Sequence, residues 1–416
     1  MTPTPEDVRA AVRDGLLDGL PPGPPWTALL TIGELRVVLH ADGDGALRVT
    51  DSPGDAADFG FAISADEWAD FCTQPPPRGC TSAQALVATR GDARVTGRRE
   101  VWARAAGALD RVVDAIRDQV RAPRPRRPDP PTPTAGLSPI EGRYLHVEVR
   151  GEPRRIYFEQ AGDGLPLLCL HTAGADSRQF RYLMEDPRVT DHHRVIAFDL
   201  PWHGRSDPPP DWQHRRYRLD TETYEATVLA VIDALGLHRP VLLGCSMGGS
   251  MALYLASRHG ERFTGVCALE GGLGNPGRFV EWTNRVDVDH SSFLVSWVGG
   301  LIAPSSPAAP RAETLWGYAQ SGPGVYQGDT YFYSVDFPRH TADLVPASCP
   351  LVVFSGEYDY SATTEASREA AERLGGRLVE MRGRGHFPMS EDPDGLAEHL
   401  LPVLAELRQE QGAHTP

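Results

Sequence analysis

The sequence predicts an α/β fold, a mostly parallel sheet with helices on both faces, preceded by a small α+β domain. Three observations carry this reading. From Leu145 onward, short and almost wholly apolar β-type runs alternate with helical stretches, the pattern of a parallel sheet covered on both faces. Before residue 121, strand-like runs are followed by a long amphipathic helix, which reads as a separate α+β unit. Between the two lies Ala122-Pro123-Arg124-Pro125-Arg126-Arg127-Pro128-Asp129-Pro130-Pro131-Thr132-Pro133-Thr134. Proline at that density excludes helix and sheet and favours an extended, semi-stiff spacer. The expected division is a domain over 1–121, a linker over 122–138 and a second domain over 139–416.

In the first domain, Pro5–Leu20 carries a weak helical pattern. Leu35–His40 and Ala46–Thr50 read as strands around the turn Ala41-Asp42-Gly43-Asp44-Gly45, and Phe59–Ile63 as a third. Ser64 is placed to cap a helix from Asp66 to Phe71. Ala85–Ala88 and Asp92–Thr96 suggest further strand. Glu100–Val120 is a helix with Leu109, Val112, Val113 and Ile116 on one face.

The second domain starts with a hairpin, Leu145–Val149 and Arg154–Glu159. Apolar strands follow at Leu167–Leu170, Arg194–Asp199, Val241–Leu243, Gly265–Leu269 and Leu351–Phe354, with another at Arg377–Met381. Thr223–Leu235 reads as a helix.

Composition narrows the function. The 416 residues allow two or more domains, and a net charge of -15 argues against a nucleic-acid partner. All 41 basic residues are arginine, which suggests a high-GC bacterial coding bias and removes lysine Schiff-base chemistry. The six cysteines form no C-x-x-C pair and several sit in apolar runs, so buried free thiols in a reducing, cytoplasmic compartment are expected. No stretch approaches the ~18 apolar residues of a membrane span. There is no His-x-x-x-His and no dinucleotide fingerprint after a strand, so neither a metal nor a cofactor is expected.

The candidate chemistry centres on Gly244-Cys245-Ser246-Met247-Gly248, which fits G-x-S-x-G between a strand and a helix. A Gly-rich turn with a buried serine is the bland alternative. The glycines suit a tight turn whose neighbours leave no room for a Cβ, and the turn aims the Met247 N–H at a developing oxyanion. His386, in a Gly-rich loop after Arg377–Met381, would take the Ser246 proton. Asp359, after Leu351–Ser355, would fix the His386 tautomer. Glu270, at the end of the strand Val266–Leu269, is a rival acid.

These motifs, with His171-Thr172-Ala173-Gly174 and His203-Gly204-Arg205-Ser206-Asp207, resemble the α/β-hydrolase superfamily over about residues 140–409, in the order Ser, Asp, His. The resemblance implies that the second oxyanion donor is the Ala173 N–H, although many relatives have His-Gly where this chain has His171-Thr172. It implies that His171 is structural. It also implies that the insertion at about 272–345 is a cap, whose aromatic density suggests an apolar cavity. Trp202, Trp297, Trp316 and Tyr331 are the candidate pocket residues. More weakly, Phe59–Trp68 and Arg90–Gly97 resemble sterol-carrier-protein-2-like domains, implying a lipid tunnel; a structural or dimerising module is the alternative, which leaves a homodimer open.

The expected activity is hydrolysis of an ester, thioester or lactone of an apolar small molecule by a serine hydrolase. C–C bond hydrolysis in the same fold and non-catalytic lipid binding stay open. The second domain holds its own sheet and every candidate catalytic residue. A chain starting near Ser138 is therefore expected to fold alone.

Overall fold

The computed structural model describes residues 2–413 except 14, 21, 52–55, 92, 93 and 132–134. The chain forms two compact units, Met1–Arg127 together with Trp282–Ser305, and Pro128–Glu281 together with Ser306–Pro416.

The first unit is built on a five-stranded sheet: β1 (Trp26–Ile32), β2 (Leu35–Ala41), β3 (Leu47–Thr50), β4 (Phe59–Ile63) and β5 (Val95–Gly97), in the order β3-β2-β1-β4-β5. Only β1 and β4 run parallel. β1 alternates, burying Trp26, Ala28, Leu30 and Ile32. It has no counterpart among the expected strands. Ser64 and Glu67 form a reciprocal capping box that starts the helix Ala65–Phe71. The helix Arg99–Val120 buries Leu109, Val112, Val113 and Ile116.

Two expectations change here. Ala85–Ala88 is not a strand but part of the helix Ala83–Arg90, because the Ser82 hydroxyl accepts the Ala85 N–H at 3.0 Å and caps it. A four-residue apolar run does not by itself distinguish the two. The strand expected over Asp92–Thr96 begins at Val95, and Asp92 and Ala93 lie outside the described residues.

The linear division also gives way to an interleaved one. The segment Trp282–Ser305, expected in the cap, packs within the first unit. Its helix His290–Gly299 stacks Phe293 on Trp297 at 5.7 Å, and Trp102 meets Trp282 and Phe293 edge-on at 6.2 and 6.4 Å. Its apolar face finds its partner on the long helix Arg99–Val120. The Pro-rich run carries no helix or strand through Pro131, while Thr132–Thr134 lie outside the described residues. Arg124 donates to the carbonyls of Thr81 and Phe71, and the Arg127 N–H donates to Ser305.

The second unit holds an eight-stranded sheet: β6 (Glu141–Val149), β7 (Glu152–Ala161), β8 (Leu165–Leu170), β9 (His193–Phe198), β10 (Val241–Cys245), β11 (Gly265–Leu269), β12 (Leu351–Gly356) and β13 (Arg377–Met381). The order is β13-β12-β11-β10-β8-β9-β7-β6, parallel from β13 to β9 and antiparallel through β7 and β6. β10 and β11 are buried along their whole length. The core on one face joins Leu167, Val195, Leu243 and Phe354 to Leu400 and Leu404 of the helix Pro393–Ala413. Among the described residues no helix is long and apolar enough to cross a membrane.

Candidate active site

The candidate side chains sit beyond the carboxyl ends of the parallel strands, where open α/β sheets bind ligands. Ser246 follows β10, Glu270 follows β11, Asp359 follows β12 and His386 follows β13.

Ser246 takes φ 55 and ψ -113 and immediately precedes the helix Met247–His259. A non-glycine residue in that region is strained, and strain of this kind concentrates at functional sites. The surroundings enforce it. A Cβ on Gly244 would lie 2.1 Å from the Gly248 carbonyl oxygen, and one on Gly248 would lie 2.4 Å from that of Leu170. The Ser246 N–H donates to Leu269 at 2.9 Å, tying the turn to β11. Ser246 is half-buried while its neighbours on both sides are buried.

Asp359 and His386 come together, with His386 Nδ1 2.6 Å from Asp359 Oδ2 and both residues buried. Asp359 Oδ1 accepts the N–H groups of Ser361 and Ala362 at 2.6 and 3.2 Å. With the carboxylate accepting from Nδ1–H, Nε2 is left as the basic ring nitrogen. The His386 carbonyl lies 3.3 Å from the Cys245 thiol, which brings the histidine loop against the residue preceding Ser246. Glu270 is buried beside this pair, with both carboxylate oxygens near the Gly356 N–H at 2.8 and 2.9 Å. Burial, and then the Asp359 charge, push its pKa well above the usual carboxylate range, which favours the protonated form of Glu270.

The loop after β8 carries Ala173, which is buried, and Met247 opens the elbow helix. His171 ties this loop to the one after β9. Its Nε2 accepts the Leu200 N–H at 3.1 Å, so Nδ1 holds the proton and donates to the Thr172 carbonyl at 2.8 Å. Burial first, then the neighbouring His203, lower the His171 pKa to about 4, which keeps it neutral.

The cavity at Ser246 is about 30 Å³, bordered by Met247, Glu270, Asn275, Tyr333 and Ser361. That is room for roughly one water molecule, whereas small-molecule sites run to about 300–1,000 Å³. The four candidate pocket aromatics lie elsewhere. Trp202, at φ 77, borders a separate cavity of about 340 Å³ beside Gly174 and His203. Trp316 is 63% exposed, and Tyr331 packs edge-on against Phe279 at 5.9 Å. Trp297 belongs to the first unit. Tyr333 stood among the insertion's aromatics in the sequence without distinction. Asn275 and Ser361 carried no sequence signal.

Asp329, fully buried on the helix Val325–Tyr331, is a further member that sequence reasoning passed over. It accepts the Gly174 N–H at 2.7 Å, the Tyr217 hydroxyl at 2.7 Å and His203 Nε2 at 2.8 Å. The one available signal was a lone acid in an aromatic-rich insertion.

A sequence model described as the alpha/beta hydrolase family matches residues 167–399. The chain is 27% identical over 184 residues to a 2-hydroxymuconate semialdehyde hydrolase of Pseudomonas putida, covering 44% of this chain and 53% of that protein. It is 25% identical over 285 residues to a soluble epoxide hydrolase of Corynebacterium sp. strain C12, covering 61% of this chain and 95% of that one. It spans about half or less of the length of several curated relatives that it matches, 46%, 33% and 53% for three of them. Among solved structures, a thermophilic esterase from Thermogutta terrifontis aligns with a TM-score of 0.54 at 20% identity, covering 64% of this chain and 99% of that chain, a likeness of fold.

Proposed function

The chain belongs to the alpha/beta hydrolase family, and from that premise we propose that it is a serine hydrolase cleaving an ester, thioester or lactone of an apolar small molecule. The observation that carries this reading is the strained Ser246 elbow together with the buried His386–Asp359 pair, whose histidine carbonyl lies 3.3 Å from the Cys245 thiol of the elbow. In the proposed cycle His386 Nε2 takes the Ser246 hydroxyl proton as Oγ attacks the acyl carbon. The oxyanion forms against the N–H groups of Met247 and Ala173, and the leaving group departs with the proton from Nε2. Water then attacks the acyl-enzyme with His386 as base, and Asp359 stabilises the imidazolium in both halves.

The test is Ser246→Ala, assayed on p-nitrophenyl esters and with a fluorophosphonate probe. Losing a nucleophile that works as a unit with its base costs on the order of 10⁶ in kcat. A Ser246→Ala protein that keeps a tenth of the wild-type kcat ends this proposal.

C–C bond hydrolysis is the second reading, supported by the Ser246-Met247-Gly248-Gly249 elbow and the similarity to a semialdehyde hydrolase. Turnover of a vinylogous 1,5-diketone in preference to esters would select it. Failure of the probe to label Ser246 would favour binding without turnover. For the first unit, the sterol-carrier-protein-2-like reading and a lipid-delivery role belong to the same proposal. A cavity of about 520 Å³ within it, bordered by Leu17, Trp26 and Val288 but equally by Asp42, Arg104 and Asp287, supports a binding role without singling out an apolar ligand. The six free cysteines, five of them buried, support a reducing, cytoplasmic setting.

A further inference from the structure

We propose that Asp329 is a positioning residue for the oxyanion loop, so that the Ala173 donor is assembled only while the insertion helices are docked on it; this rests on the serine-hydrolase reading above. The residues on either side of Ala173 are both held by the insertion. Thr172 Oγ1 lies 2.5 Å from the Tyr318 hydroxyl of the helix Ala308–Ala319, and the Gly174 N–H donates to Asp329 at 2.7 Å. Gly174 sits at φ 70, and a Cβ there would lie 2.7 Å from the Tyr326 ring of the same helix as Asp329. The peptide that carries the Ala173 N–H is thus gripped on both sides by side chains about 150 residues further along the chain.

Asp329 is itself fixed. The ring nitrogens of His203 face only acceptors, Pro201 O at 3.0 Å from Nδ1 and Asp329 Oδ2 at 2.8 Å from Nε2. Two acceptors facing the two ring nitrogens favour the doubly protonated ring, which would make the pair a fully buried ion pair. Burial alone would lower the His203 pKa, but the Asp329 charge and hydrogen bond, with the Pro201 carbonyl, more than offset it and leave it raised. Tyr217 supplies the third donor. A buried carboxyl group held by three hydrogen-bond partners has little freedom to release Gly174. The two-sided grip gives Thr172 a fixed conformation.

The experiment compares wild type and Asp329→Asn on a short p-nitrophenyl ester, together with a trifluoromethyl ketone. That inhibitor forms a hemiketal whose oxyanion occupies the hole. The expected result is a kcat about 10² lower, the size of losing one oxyanion donor. KM should stay within about threefold, and the inhibitor Ki should rise in parallel with the loss in kcat/KM. A folded Asp329→Asn protein with wild-type kcat and Ki overturns the proposal. So does a rise in KM alone, since that is lost ground-state binding. If Asp329→Asn does not fold, Tyr318→Phe deletes one hydroxyl from the other grip. It should lower kcat and raise Ki about tenfold, and no change in either overturns the proposal equally. Hydrogen–deuterium exchange of residues 171–179 provides a readout independent of turnover, and exchange there should rise in either variant. Faster exchange with a wild type inert to ester and probe would sink the hydrolase reading while leaving the grip. Unchanged exchange would sink the grip.

Discussion

Asp359→Asn and Glu270→Gln should differ by orders of magnitude, although both remove one buried acid beside the same histidine. Asp359 Oδ1 is already claimed by the Ser361 and Ala362 N–H groups. The carbonyl of an asparagine would keep that place and turn its NH₂ toward His386 Nδ1. That donor forces the imidazole proton onto Nε2, the nitrogen that has to accept from Ser246. A wrong tautomer of this kind is worth roughly 10⁴ in rate, or about 5.5 kcal/mol of barrier. Glu270 is the opposite case. Its burial and the Asp359 charge raise its pKa and favour the protonated form, which glutamine reproduces in shape, keeping an oxygen for the Gly356 N–H and a donor for Asp359. A kcat within about threefold of wild type is expected. The assay is steady-state hydrolysis of p-nitrophenyl butyrate at pH 7.5, with circular dichroism to confirm that both variants fold. The reasoning is refuted if Glu270→Gln loses 10³ or more in kcat while Asp359→Asn stays within tenfold, because Glu270 would then be the acid that orients His386.

Two further outcomes concern the first unit. Asp110 is half-buried there, its carboxyl group turned inward against Ser296 and the Gln84 N–H, and desolvation raises its pKa to about 7 despite both hydrogen bonds. Its folded value lies above the unfolded value of about 3.9, so the folded state binds the extra proton and this group's contribution falls as pH rises from about 4 to 7. Asp110→Asn should therefore flatten the drop in Tm of the first unit between pH 5 and pH 8, and parallel Tm–pH curves would contradict this. The second outcome departs from the expectation that residues from Ser138 onward fold alone. Deleting residues 1–127 removes the packing partners of Phe293 and Trp297, both buried in the intact unit. The shortened protein should bind a hydrophobic dye or self-associate, and a monomer with the wild-type Tm would show that Trp282–Ser305 refolds without that support.

What the sequence determined by itself was whatever is encoded locally. The strands β8 to β12 are short, largely apolar runs bounded by turn residues, and burial on both faces makes such runs conspicuous. Ser246, Asp359 and His386 could be singled out as candidates because each lies in a contiguous stretch just beyond the end of a strand. The helix Ala83–Arg90 escaped for the converse reason, since its apolar run fits either period and a single cap hydrogen bond chose between them. Asp329 escaped because its meaning lies entirely in partners 112, 126 and 155 residues away, and no local pattern marks a carboxylate for burial. Tertiary structure alone decided that Trp282–Ser305 joins the first unit and that the candidate pocket aromatics lie away from the small cavity at Ser246. Aromatic density along a chain reports that a segment will be buried; which surface buries it is set by the shape complementarity of segments far apart in sequence, and that is specified only once the chain has folded.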